Sequence, residues 1–304
     1  MKLKTKDLLT LDELSADELS KIIDFGIKLK KEFQKGSSKP ILKNKTLAMI
    51  FQKPSTRTRV SFETGMYQLG GHALNLSSDD LQLSRGESIE DTAKTLSRYV
   101  DVIMARVYDQ KMIQVLAKNS TVPVINGLSN SFHPCQTLAD LMTIKEKKKK
   151  LKGLKIAWIG DGNNVCNSLI YGCAKTGINI SIATPKGFEA DKIVINKSKK
   201  EIKVETGNNP DVTIKDADVV MTDTFTSIHT GDSKREKKFL PKFQVNSLLM
   251  KKAKKNAIFM HCLPAKRGTE VTSSVIDGKQ SVVWDQAENR LHSQKALLVS
   301  LLGI

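Results

Sequence analysis

The 304 residues are 39% hydrophobic and 27% charged, and 49 Lys and Arg outweigh 32 Asp and Glu to give a formal net charge of +17. This composition is ordinary for a globular protein of up to two domains of about 150 residues, with no apolar run near the roughly 20 residues of a membrane span and no secretory signal behind the basic N-terminus, so a cytoplasmic location is expected. The charge excess is mostly lysine in scattered short runs that the sparse aromatics do not interleave, which leaves nucleic-acid binding as the non-enzyme alternative and steering of a small anionic substrate as a better use of the charge.

In chain order, Thr10 with Glu13 three residues on predicts a capping box that opens a first helix, whose apolar face of Ile22, Ile23, Ile27 and Leu29 runs to about Phe33. A loop then leads to TLAMIF at 46–51, a strand. Pro54 turns the chain, and Val60, Phe62, Met66 and Leu69 recur at helical spacing until Gly70 and Gly71. Residues 75–86 read as a polar loop. A helix from Glu87 is followed by a buried strand over 101–108 with one charge, Arg106, then a short helix around Met112, Val115 and Leu116 and a strand at 122–126. His133 opens a helix through Leu138, Leu141 and Ile144 that ends in the lysine run 147–150.

That run and Gly153 mark the expected domain boundary: a first domain over 1–150, a second over 151–286, and a C-terminal helix 287–304 packing back on the first. The second half repeats the rhythm, with a strand at 154–159, a GDGNN turn at 160–164, a helix to Lys175, and strands at 178–183, 218–222, 257–260 and 281–284. A helix over 288–302 closes the chain. Strands alternating with helices, twice, predict an α/β fold class of two domains, each a mostly parallel sheet flanked by helices and joined by interdomain helices.

Where the strand at 46–51 gives way to a helix, Ser55, Thr56, Arg57 and Thr58 present unpaired N–H groups, the positive end of a helix dipole, hydroxyls and a guanidinium. That is the make-up of a phosphate site. The alternative is a Ser/Thr cap with solvated arginines; strand, turn, two arginines and helix together favour the anion site. Ligands of open α/β sheets bind beyond the carboxyl ends of the strands. Arg106, His133 and Gln136 collect there in the first half, Asn163, Asn164, Asp223, His261 and Cys262 in the second, and Arg290 begins the last helix.

The glycines at 160 and 162 are followed by Val165 where a dinucleotide fingerprint has its third glycine, which argues against a dehydrogenase. Cys135, Cys166 and Cys173 read as small buried apolar groups. None of the four cysteines belongs to a ligand pair, so no structural metal is expected.

STRTR at 55–59, HPCQ at 133–136, HCLP at 261–264 and ENR at 288–290, in that order and spacing, resemble the aspartate/ornithine carbamoyltransferase family over essentially the whole chain. HCLP and GDGNN match its ornithine branch; the aspartate enzymes carry HPLP. The resemblance implies transfer of the carbamoyl group of carbamoyl phosphate to the side-chain amine of L-ornithine, giving L-citrulline and phosphate in arginine biosynthesis. It also implies a homotrimer with shared active sites and no metal or organic cofactor. By matching position, Ser55, Thr56, Arg57, Thr58 and Arg106 bind the phosphate end, and His133 and Gln136 reach the carbamoyl group. Gln82 completes the site of a neighbouring subunit. Asn164, Asp223, Ser227 and Ile228 fall at ornithine-binding positions, Cys262 and Leu263 flank the reacting centre, and Arg290 contacts carbamoyl phosphate. Arg106, His133 and Cys262 are the expected catalytic residues. Ile228 and His229 stand where the family commonly has Met and Gly, which keeps another acceptor, acetylornithine or putrescine, open.

Overall fold

The computed structural model describes residues 3–77, 81–226 and 233–304. The chain divides into two compact units, Met1–Met142 with Glu288–Ile304, and Thr143–Ala287. Both divisions fall inside helices, α5 (Pro134–Lys148) and the C-terminal helix Val283–Leu302.

The first unit is built on a four-stranded, wholly parallel sheet in the order β2-β1-β3-β4. Its strands are β1 (Thr46–Phe51), β2 (His72–Ser77), β3 (Val102–Arg106) and β4 (Val124–Leu128). A parallel strand covered on both faces needs an unbroken apolar run, and Leu47, Ala48, Met49 and Ile50 are all fully buried. Helices α1 (Ala16–Gln34), α2 (Thr56–Gln68), α3 (Ile89–Leu96) and α4 (Gln110–Asn119) complete the unit before α5. Ile50, Ile103, Ile113 and Leu116 belong to one apolar cluster between sheet and helices.

The second unit carries a five-stranded parallel sheet, β7-β6-β5-β8-β9. The strands are β5 (Lys155–Ile159), β6 (Asn179–Ala183), β7 (Val204–Gly207), β8 (Val219–Thr222) and β9 (Ile258–His261), and α6 (Asn164–Thr176) follows β5. Phe225 and Phe239 stack in its core with centroids 4.4 Å apart.

Three local readings of the sequence need correction. The first long helix does not start at Thr10: residues Leu11–Glu13 form only a 3-10 turn, and the capping box is Ser15 with Glu18. Glu13 reaches instead to the Leu9 N–H at 2.7 Å, so its carboxylate is spent on the turn. The apolar residues at 281–284 are not a strand; Ser281 makes an isolated bridge to Phe259 and Val283 already begins the last helix. The edge strands β2 and β7 had no strand signal, because half-exposed edges lack the apolar run on which the other strands were recognised.

Each sheet has one point where the strand order reverses: between β1 and β3 in the first unit, between β5 and β8 in the second. The two connections that leave such neighbours diverge to opposite sides and open a crevice at the strand ends. Phe51 lies in register with Arg106, so the β1–α2 loop and the end of β3 are level at the first reversal. The β5–α6 turn and Asp223 after β8 occupy the second.

Candidate active site

Ser55 is the N-cap of α2, and its hydroxyl accepts from the Thr58 N–H at 3.4 Å. No acidic residue lies in the first turn of this helix, so nothing offsets its positive end. Thr56 and Arg57 open the helix, and Thr58 is 1% exposed. Arg290, only 3% exposed, extends from the C-terminal helix of the same unit. It donates from Nη1 to Gln136 Oε1 at 2.6 Å and from Nη2 to Thr58 Oγ1 at 3.2 Å. Gln136 in turn donates from Nε2 to Asp140 Oδ1 at 2.8 Å, one helical turn on. The amide is thereby oriented with its oxygen toward the guanidinium.

His133 lies beside these groups, immediately before α5. Its imidazole is held well below the ordinary histidine range, first by burial and then by the guanidiniums of Arg290, Arg106 and Arg57. Three arginines from three elements thus converge electrostatically on one buried, neutral ring. The ring can donate or accept a hydrogen bond but does not add a fourth positive charge. Lys53 is a further cation that the sequence reading missed, although it lies within the same FQKPSTRTR stretch. It is 4% exposed, its ammonium sits 4.0 Å from the Tyr108 ring centroid, and burial followed by the charge of Arg106 lowers its pKa. Cys135 is fully buried with its thiol pushed up to about 12 by burial, an inert apolar group as read from the sequence.

One expected residue stands apart from this cluster. Gln82 lies on the exposed 3-10 turn Gln82–Arg85, and among the described residues it has no side-chain hydrogen bond to the cluster. Ser227 and Ile228, like His229, lie outside the described residues.

In the second unit, Asn163 caps α6: Oδ1 accepts from the N–H of Val165 at 3.0 Å and of Cys166 at 3.1 Å. Its Nδ2 donates to Asp223 Oδ2 at 2.7 Å. Asn163, adjacent to the expected Asn164, is therefore a residue that orients the carboxylate. Cys262 Sγ donates to the other oxygen, Asp223 Oδ1, at 3.1 Å. The turn holding Asn163 is tightly folded. Gly162 passes so close to Ala190 that a Cβ would lie 2.1 Å from its nitrogen, and Trp158 Nε1 donates to Asp161 O at 2.9 Å. The Asp161 carboxyl, paired with Arg235, is nonetheless raised to about 6, burial outweighing the cation.

Asp223, His261 and Cys262 offer donor atoms within 4.8 Å of one another. Both ring nitrogens of His261 are already engaged, Nδ1 by the Leu263 N–H at 2.9 Å and Nε2 by Glu270 Oε1 at 3.1 Å. Only the carboxylate and thiol remain, too few donors for a three-residue metal site.

The sequence pattern described as "Aspartate/ornithine carbamoyltransferase, carbamoyl-P binding domain" matches residues 6–146, and the companion pattern for the "Asp/Orn binding domain" matches residues 152–301. The chain belongs to the aspartate/ornithine carbamoyltransferase family. It is 61% identical to the ornithine carbamoyltransferase of Cenarchaeum symbiosum over 302 residues, 99% of each chain. To the anabolic ornithine carbamoyltransferase of Pyrococcus furiosus it is 53% identical over 305 residues, 98% of this chain and 96% of that one. The solved structure of an ornithine carbamoyltransferase from Pyrococcus furiosus superposes with a TM-score of 0.94, covering 98% of this chain and 97% of the other. One strand-order reversal falls in each of the two matched segments. The arginine cluster lies in the segment matched by the carbamoyl-phosphate pattern, apart from Arg290, which the C-terminal helix contributes to the same unit.

Proposed function

We propose that this chain is an ornithine carbamoyltransferase of the anabolic type, carbamoylating the side-chain amine of L-ornithine at the expense of carbamoyl phosphate. The observation that carries the donor half is the convergence of Arg57, Arg106 and Arg290 on neutral, buried His133. A phosphate dianion is matched by guanidinium forks, each charge-assisted hydrogen bond contributing roughly 1.5–3 kcal/mol. Ser55, Thr56 and Thr58 add hydroxyls and helix N–H groups. As the amine attacks, the carbamoyl oxygen gains negative charge; His133, Arg106 and the Thr58 hydroxyl are its donors. Because His133 is kept neutral, the ring offers a hydrogen bond without raising the like-charge repulsion among the arginines.

The acceptor half is the Asn163–Asp223–Cys262 cluster, whose carboxylate suits an α-ammonium group. An alkyl ammonium must lose its proton before it attacks, which at about pH 7.5 costs roughly 4 kcal/mol from a pKa near 10.4. Partial desolvation lowers the cost of this first proton, which leaves to solvent, and the second, released as the C–N bond forms, goes to the departing phosphate. Asp223 and Cys262 orient the amino acid during this step.

Assembly as a homotrimer in the cytoplasm belongs to the same reading. In its support, Val60 and Tyr67 project from one stripe of α2 with 52% and 82% exposure, beside the edge strand β2. No helix among the described residues is long and apolar enough to cross a membrane. Light scattering at assay concentration checks the assembly; a monomer there would refute it.

The deciding experiment is a citrulline assay with carbamoyl phosphate and, in parallel, ornithine, acetylornithine, putrescine and aspartate. Carbamoylation of ornithine in preference to the other three is expected. Product with another amine and none with ornithine would overturn the acceptor assignment.

A further inference from the structure

The turn that carries Cys262 and Leu263 is fastened by two groups, His261 and Glu270, to which the family resemblance assigns no role. His261 is 1% exposed and Glu270 fully buried. Glu270 Oε1 meets His261 Nε2 at 3.1 Å and also accepts the Lys266 N–H at 2.6 Å. One carboxylate oxygen therefore holds both ends of the turn spanning residues 261–266. The middle is fixed by the ring itself, since the Leu263 N–H donates to His261 Nδ1 at 2.9 Å. Leu263 sits at φ +57, a left-handed conformation that a leucine does not adopt without support.

These contacts determine the protonation of the ring. Nδ1 accepts from an N–H and so carries no proton; the single proton lies on Nε2 and is donated to Glu270. Glu270 thus selects the tautomer whose other nitrogen can hold Leu263. The same arrangement, in which a buried carboxylate aligns an imidazole by accepting from its far nitrogen, orients catalytic histidines elsewhere. Here the oriented object is a stretch of backbone, and through it the Cys262 thiol against Asp223 Oδ1.

We propose that Glu270 and His261 form a positioning pair that sets the conformation of the Cys262–Leu263 turn, and with it the geometry offered to the acceptor amine. The kinetic consequence rests on the carbamoyl-transfer reading above; the conformational one does not. No bond is made or broken by the pair.

The test uses the chain's own cysteines. Cys262 is partly exposed while Cys135, Cys166 and Cys173 are fully buried, so brief alkylation of the native protein with iodoacetamide reports on the turn, and labelling of the other three reports on unfolding. Three variants separate the contacts. Glu270→Ala removes the acceptor for both ends. His261→Gln keeps a donor for Glu270, leaving no buried carboxylate unpaired, but has no nitrogen in the Nδ1 position to receive Leu263. Glu270→Gln keeps an oxygen where Oε1 stands.

The expected result is at least a fivefold faster labelling of Cys262 alone in Glu270→Ala and His261→Gln, with Glu270→Gln within twofold of the parent. In the citrulline assay the first two lose at least tenfold in kcat/KM for ornithine while the KM for carbamoyl phosphate stays within about twofold. Cys262 labelled at the parent rate in both variants would overturn the proposal, as would all four cysteines labelled together, since the pair would then merely hold the fold. A parent that makes no citrulline yet shows the labelling pattern would uphold the positioning pair and refute the functional reading instead.

Discussion

Gln136 Oε1 accepts a hydrogen bond from Arg290 Nη1 at 2.6 Å, joining a residue of α5 to one 154 positions later in the chain. The direction of that bond is set one helical turn away, because Asp140 Oδ1 takes the amide nitrogen of Gln136. Asp140 is fully buried and so acts on Gln136 without water competing for either partner. Replacing Asp140 by Leu would free the amide to rotate and present its NH2 to the guanidinium, a clash of two donors. We expect Asp140→Leu to raise the KM for carbamoyl phosphate at least tenfold with a smaller change in the KM for ornithine. Equal changes in both, measured in the same steady-state assay, would count against this chain of orientation.

Arg57 makes the sharpest test of the phosphate cradle. It lies two residues after the Ser55 cap, in the first turn of α2, and its charge is one of the three felt by His133. Lysine keeps the charge but replaces a planar fork by a point donor. Arg57→Lys is expected either to raise the carbamoyl phosphate requirement or to cut turnover by at least tenfold, about 1.4 kcal/mol or more in transition-state stabilisation. Kinetics close to those of the parent would remove Arg57 from the site.

The contrast between these residues shows what a sequence discloses. Ser55 to Thr58 are contiguous, follow an apolar strand and open a helix, so local pattern alone suggests an anion site. The alternation of strands and helices likewise disclosed two parallel sheets, because β1, β3, β5 and β8 are buried through their middles and carry polar residues only at their ends. Asp140, Glu270 and Lys53 were not legible as neighbours of the site. Each is a common charged residue whose meaning depends on what lies across the fold from it: Gln136 held for Arg290, His261 turned toward Leu263, an ammonium laid on Tyr108. Neither β2 and β7 nor the true start of α1 had enough local signal, since Ser15-x-x-Glu18 and Thr10-x-x-Glu13 are equivalent capping boxes until Glu13 is seen to bond Leu9.

His292 predicts how stability responds to acid. Its ring is fully buried, neither nitrogen has a hydrogen-bond partner among the described residues although the Glu288 carboxylate stands 3.7 Å from Nε2, and burial, followed by Lys295 and Lys30, lowers its pKa to about 3. Between that value and the ordinary histidine range the unfolded chain binds a proton that the folded chain refuses. Stability is therefore present at neutral pH and lost as pH falls from about 6.5 toward 3, by about 1.4 kcal/mol for each unit. Comparing His292→Leu with the parent by urea unfolding near pH 7.5 and near pH 5 should show the parent losing about 2 kcal/mol relative to the variant at the lower pH. A pH-independent difference between the two would show that this ring does not resist protonation.

Asp223 bears on the acceptor. One oxygen receives Asn163 Nδ2 and the other receives both Cys262 Sγ and the Thr224 N–H, so the carboxylate is fixed from both sides. Asp223→Asn changes almost no volume, but it removes the negative charge and puts an NH2 where an acceptor stood. With its oxygen toward Asn163, the new amide would point its nitrogen at the Thr224 N–H; with the oxygen toward Thr224, it would oppose Asn163. Neither orientation satisfies every neighbour. If Asp223 meets the α-ammonium of ornithine, the variant loses a charge-assisted bond as well, and the KM for ornithine should rise by at least tenfold. The affinity for carbamoyl phosphate, which the proposal assigns to the arginine cluster of the other unit, should change by less than threefold. A variant in which the two affinities fall together would mean that Asp223 supports the structure as a whole and not the acceptor. Cys262→Ala serves as the companion: it removes one neighbour of Asp223 but leaves the charge, so its effect on the KM for ornithine should be several-fold smaller than that of Asp223→Asn.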